Sequence, residues 1–98
     1  IGAGDTGERV LRQTRRQKRR VVGFVDDDPR KQGGRIQGCP VLGPRAALGG
    51  LLDRTGAREV LIAVNDPPGH LLSHVRDCCE PRGVAWKVVA GGVLTPDA

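Results

Sequence analysis

Two apolar runs, Val21-Val22-Gly23-Phe24-Val25 and Glu59-Val60-Leu61-Ile62-Ala63-Val64, are too brief for helices, and the segments between and after them repeat apolar residues at helical spacing. That alternation constrains the chain more than any other feature, because strand-helix-strand units build a parallel sheet through right-handed crossovers. From Asp5 to about Arg16, Gly7, Val10, Leu11 and Thr14 share one helical face and arginines take the other. Pro44 suits the first turn of a second helix, carried by Leu48, Leu51 and Leu52 and stopped by Gly56. Asn65-Asp66-Pro67-Pro68 is expected to cap and open a third, with Leu71, Leu72, Val75, Cys78 and Cys79 as its apolar stripe and Gly83 as its end. Val84, Trp86 and Val88 alternate with Ala85, Lys87 and Val89, the pattern of an edge strand. Arg30 to Gly38 reads as a loop, and Cys39–Gly43 as a short extended piece interrupted by Pro40.

With 98 residues there is room for one small domain, expected over residues 1–90, with residues 91–98 as a tail or linker. Phe24 and Trp86 are the only aromatics, so the core has to come from Val, Leu, Ile and Ala, which suits parallel strands covered by helices. No apolar run approaches the roughly 20 residues of a membrane span. The odd count of three cysteines, with no C-x-x-C spacing, fits a reduced, cytoplasmic domain.

The formal charge of +5 is local. Arg9, Arg12, Arg15, Arg16, Lys18, Arg19 and Arg20 supply seven of the 16 basic residues, and without them nine bases face 11 acids. The cluster reads as a solvated helix end complementing the helix dipole, with a phosphate-rich partner or an anionic membrane surface as alternatives. It lacks interleaved aromatics on which bases could stack, so nucleic acid is not an expected partner.

Ahead of the first helix stands Gly2-x-Gly4-x-x-Gly7, preceded only by Ile1, which reads as the last residue of a truncated first strand. In a βαβ unit the first glycine allows the turn, the second lets backbone approach a pyrophosphate, and the third lets helix and strand pack closely. The amides of Asp5 and Thr6 then lie at a helix N-terminus, where an anion is favoured. Asp5 would either sit against that anion or serve as the N-cap. Asp26 follows Gly4 by 22 residues, at the end of the second strand, where an acid accepts hydrogen bonds from an adenosine ribose and prefers NAD over NADP. Arg30 and Lys31 soften that preference, and Asp26-Asp27-Asp28-Pro29 also reads as a plain strand-ending turn. Val64 and Asn65 end the strong third strand, where doubly wound sheets hold ligands, so Asn65 and Asp66 either touch a ribose or nicotinamide or cap a helix. The candidate binding set is thus Gly2, Ala3, Gly4, Asp5, Thr6, Gly7, Asp26, Asp27, Val64 and Asn65, for NAD, with NADP or CoA as alternatives.

No catalytic set is expected in this chain. It has no tyrosine, which rules out the Tyr-x-x-x-Lys pair of short-chain dehydrogenases, and Ser73 is its only serine, outside any Gly-x-Ser-x-Gly. His70, His74 and Cys78 recur every four residues, but a metal site needs a further ligand, and none is expected.

Taken together, Ile1-Gly2-Ala3-Gly4-Asp5-Thr6-Gly7-Glu8, Val22-Gly23-Phe24-Val25-Asp26-Asp27-Asp28-Pro29, Gly38-Cys39-Pro40-Val41-Leu42-Gly43 and Glu59–Val64 resemble the CoA-binding-like Rossmann domain of CapD-like polysaccharide biosynthesis proteins, the nucleoside-diphosphate-sugar epimerases/dehydratases. The resemblance covers nearly the whole chain. It implies a Rossmann-like three-layer α/β/α fold with a small parallel sheet, and a domain lying between membrane helices and a catalytic short-chain-dehydrogenase domain that acts on UDP-sugars. On that basis the chain is an accessory or regulatory module binding a dinucleotide or nucleotide-sugar through Gly2, Gly4, Asp5, Thr6, Gly7 and Asp26. Its parent would be anchored in the inner membrane, with the basic cluster facing the lipid. Similar strings occur in the NADH-binding domain of redox-sensing repressors, which makes a non-enzymatic NAD(H)- or CoA-sensing module the alternative. They also occur in sugar acetyltransferases, which usually carry Gly-His-Gly-Lys where this chain has Gly4-Asp5-Thr6-Gly7.

Overall fold

The first helix, α1, spans Asp5–Arg16 and buries Gly7, Val10, Leu11 and Thr14, the face set by its apolar spacing. Thr14 tolerates that position because its hydroxyl donates to the Val10 carbonyl at 2.7 Å. These observations come from a computed structural model, which describes residues 1–89 as an α/β domain; the expected 91–98 tail lies outside the described residues. After α1 come β1 (Phe24–Val25), β2 (Arg35–Ile36), β3 (Cys39–Gly43), α2 (Leu48–Thr55), β4 (Glu59–Ile62), α3 (Gly69–Cys79) and β5 (Ala85–Val88). Short 3-10 turns at Arg45–Ala47 and Glu80–Arg82 precede α2 and follow α3.

One sheet runs β1-β3-β2 and the other pairs β4 with β5 in parallel, from Glu59 opposite Ala85 to Ile62 opposite Val88. Residues 1–3 lie between them. The Ile1 ammonium donates to the Leu61 carbonyl at 2.6 Å, the Ala63 amide donates to the Ile1 carbonyl at 2.8 Å, and the Gly2 amide donates to the Val25 carbonyl at 2.9 Å. Leu48, Leu51 and Leu52 of α2 and Leu71, Val75 and Cys79 of α3 form one core cluster with Val60 and Ile62. The α1 residues belong elsewhere, Leu11 with Ala3, Phe24, Cys39 and Val41, and Val10 with Ala63 and Val89.

Several expectations need correction. The Val21–Val25 run is a strand only at Phe24–Val25, where parallel pairing to β3 shifts register between the two residues. The loop from Arg30 to Gly38 contains β2, which pairs antiparallel with β3 through Arg35 opposite Pro40 and Ile36 opposite Cys39. Gln37 and Gly38 turn that hairpin with φ of 48° and 80°, the paired left-handed conformation of a tight two-residue loop. Neither Asn65 nor Asp66 caps α3, because the N-cap is Pro68 and Asp66 lies in the left-handed region at φ 50°. Asp5 is not the N-cap of α1 either; Gly4 holds that position and Asp5 is the first helical residue. The alternation along β5 breaks at its end, where Val88 is 40% exposed and Val89 2%. Gly56 and Gly83 end α2 and the turn after α3 in left-handed conformation, as their positions in the sequence indicate.

Candidate functional site

The glycines of the opening turn differ in what the fold demands of them. Gly2 has φ 98°, and a Cβ there would lie 2.8 Å from the Ala63 carbonyl oxygen and 3.2 Å from Val64 Cγ2. At Gly7 a Cβ would overlap the Gly2 carbonyl oxygen, 1.9 Å away. Gly4 is extended, with φ −91° and ψ −161°, and the nearest atom to a Cβ would be Lys31 Nζ at 4.0 Å. The protein itself therefore requires glycine at Gly2 and Gly7, and leaves room at Gly4.

Asp26 locks this turn to the end of β1. Its Oδ2 accepts the Ala3 amide and its Oδ1 accepts the Asp28 amide, both at 2.8 Å. Partial burial pushes the Asp26 carboxyl up, but the Ala3 and Asp28 amides and the nearby Lys31 charge outweigh it and hold the group below its ordinary value. Gln32 Nε2 donates to the Asp26 carbonyl at 3.1 Å, and Lys31 Nζ reaches over the turn to the Ala3 carbonyl at 3.4 Å. On the far side, Asn65 Nδ2 donates to Thr6 Oγ1 at 3.4 Å, so the ends of α1 and β4 meet.

The remaining expected residues are placed as follows. Asp5 is exposed at the start of α1, and Val64 packs beside Gly2. Asp27 points away from the turn and accepts the Arg45 amide at 2.7 Å, which ties β1 to the segment entering α2. Gly2, Ala3, Gly4, Asp5, Thr6, Gly7, Asp26, Val64 and Asn65 thus surround one turn, and Asp27 serves the neighbouring junction. Sequence reasoning missed Arg45, whose Nε is buried without a hydrogen bond, 3.8 Å from Asp27 Oδ2. Only its position after Pro44 hinted at a place near strand ends. Lys31 is the more telling cation, because it is half-buried and faces the space beside Gly4.

His74 Nε2 lies 2.7 Å from the Arg45 carbonyl and 3.9 Å from Cys78 Sγ. Burial pushes the Cys39 and Cys79 thiols up, which keeps them protonated and weakly nucleophilic. Among the described residues no group of His, Cys, Asp and Glu has the arrangement of a metal site, and no helix is long and apolar enough to cross a membrane. Compared with protein-family models, curated proteins and solved structures, the chain matches none.

Proposed function

We propose that this chain is a Rossmann-like nucleotide-binding domain of a nucleoside-diphosphate-sugar epimerase/dehydratase of polysaccharide biosynthesis, with catalysis on an adjoining domain. The observation that carries the binding part is Gly4, a glycine that the fold does not need, with open space above it and Lys31 at its side. The amides at the start of α1 offer donors to an anion there, and a pyrophosphate would use both the amides and the lysine. The order β2-β3-β1, residues 1–3, β4, β5 supports the Rossmann-like reading, since it places the turn where the strand order changes direction. Asp26 would meet the ribose with the lone pairs left by its amide contacts, which favours NAD, with NADP or CoA as the other ligands to test. The sugar-nucleotide parent rests on the sequence resemblance.

Gly4→Ser tests the binding site apart from the fold. Serine is a favoured N-cap, so the thermal midpoint should hold or rise, whereas a side chain in the phosphate position should weaken NADH binding by about ten-fold or more. Titration calorimetry of wild type and variant with NAD(H), NADP(H), CoA and UDP-sugars reads both outcomes. Equal affinity in the two proteins removes Gly4 from the ligand site. No binding by wild type at millimolar ligand removes the nucleotide reading altogether.

A further inference from the structure

Packing gathers the basic residues of α1 onto one surface and adds to them. Burial of Gly7, Val10, Leu11 and Thr14 turns Arg9, Arg12 and Arg16 outward along the opposite side of the helix. Lys18, Arg19 and Arg20 follow at its end, all exposed. The β2–β3 hairpin brings Arg35 beside them. Arg15 Nη1 donates to the Gln37 carbonyl at 2.9 Å and Arg35 Nη1 to the Gly38 carbonyl at 3.0 Å, so both cations meet at one turn. Of the acids, Glu59 pairs with Arg19, and Glu8 accepts Gln37 Nε2 at 3.3 Å. Among the described residues, none makes a hydrogen bond or ion pair with the side chains of Arg12, Arg16, Lys18 and Arg20.

These charges are not needed to finish the helix. Backbone amides take its last carbonyls: Gln17 donates to Gln13 at 3.2 Å, Lys18 to Arg15 at 3.0 Å and Arg19 to Thr14 at 3.2 Å. That closure puts Lys18 in the left-handed region at φ 58°, just past the C-cap Gln17, where glycine is the usual residue. A lysine there costs stability that a glycine would not. Complementing the helix dipole does not account for the whole set either, because that effect fades beyond the last turn and Arg9, Arg12 and Arg20 lie outside it.

We propose that this surface binds duplex nucleic acid through its phosphates, without reading base sequence. Guanidinium forks match pairs of phosphate oxygens, and a duplex presents one charge per roughly 1.7 Å of its axis. The absence of aromatics in the cluster stands against stacked single strands only, since a duplex held by its backbone needs none. An anionic lipid surface fits less well. The exposed large hydrophobics among the described residues are Leu42 and Val88, neither of them in this surface, so no inserted side chain would add to the attraction of the cations. Arg16 and the residues after it stand at the opposite end of α1 from the glycine turn, roughly 18 Å along a 12-residue helix. The proposal therefore does not rest on nucleotide binding.

Fluorescence anisotropy of a labelled, mixed-sequence DNA duplex titrated with the 98-residue chain is the test. Affinity should fall steeply with added salt, and Arg12→Gln combined with Arg16→Gln should weaken it by about ten-fold or more and lower the log–log salt slope by about 2. Arg54→Gln combined with Arg76→Gln removes the same charge from exposed positions on α2 and α3 and should stay within about two-fold of wild type. Lys18→Gly should weaken binding while raising the urea midpoint, which separates the work of that charge from folding. Phosphatidylserine vesicles offer the competing surface. No duplex binding at low salt, equal losses in the two double variants, or tighter binding to the vesicles than to the duplex would overturn the proposal.

Discussion

Gly7→Ala is expected to destabilise the domain by about 3 kcal/mol or more, since no rotamer change can relieve a backbone overlap. The size of the effect follows from one distance. The new Cβ would lie 1.9 Å from the Gly2 carbonyl oxygen and 3.1 Å from a Phe24 ring carbon, so α1 has to lift away from the turn. Lifting it uncovers Leu11, which is 1% exposed, and Val10, which is 5% exposed. Intrinsic propensity points the other way, because alanine in a helix is favoured over glycine by about 1 kcal/mol. The sign of the change in a urea titration therefore decides between local preference and tertiary contact. A midpoint at or above wild type would show that the turn and α1 are not in the contact described. Gly50, in α2 with open space around its Cβ position, is the control: Gly50→Ala should keep or raise the midpoint.

Asp26→Ala should have the next largest effect. It removes the acceptor for the Ala3 and Asp28 amides, and hydrogen bonds to a charged group contribute about 1.5–3 kcal/mol each. A loss of about 3 kcal/mol is expected, with Asn in its place recovering roughly half by keeping one oxygen acceptor. The acid limb of stability supplies a second readout. Asp26 titrates below its ordinary value of 3.8 when folded, so its contribution is complete above that pH and disappears as the pH falls through the lower folded value. Asp28 and Asp53 are also held low, by Arg30 and Arg82 respectively, so the wild-type slope is shared. The measurement is the difference between wild type and Asp26→Asn in urea midpoint from pH 5 downward, which should narrow as acid is added. A constant difference would mean that the carboxylate charge does not hold the turn. The proposed nucleotide binding should weaken in both variants, because Asp26 positions the turn that holds Gly4 through the Ala3 amide.

Much of the fold is legible because it is local. The bounds of α1 at Asp5–Arg16 follow from apolar spacing, and Gly56 and Gly83 stop elements where left-handed backbone is needed. The hairpin at β2 was hidden because Gln37-Gly38 lacks the usual Asn or Asp at its first turn position and each strand pairs only briefly. Asn65 and Asp66 have the composition of helix caps, yet the two prolines that follow move the helix start to Gly69. At the candidate site, the spacing of Gly2, Gly4, Gly7 and Asp26 identifies the turn and its acid. It cannot separate a glycine needed by the chain from one leaving room for a ligand.

The amino-acid sequence alone determined the alternation of strands and helices, the buried face of each helix and the place of the glycine turn. All of these are set by residues within a few positions of one another, through periodicity and backbone preference. Tertiary structure decided which glycines the fold requires, that Asp26 binds the Ala3 amide, and that Lys31 stands beside Gly4. Those features depend on backbone groups brought together from distant parts of the chain, as when Ile1 meets Leu61 across 60 positions. Hydrogen-bond partners and steric room at such distances come into being only when the sheet and helices pack.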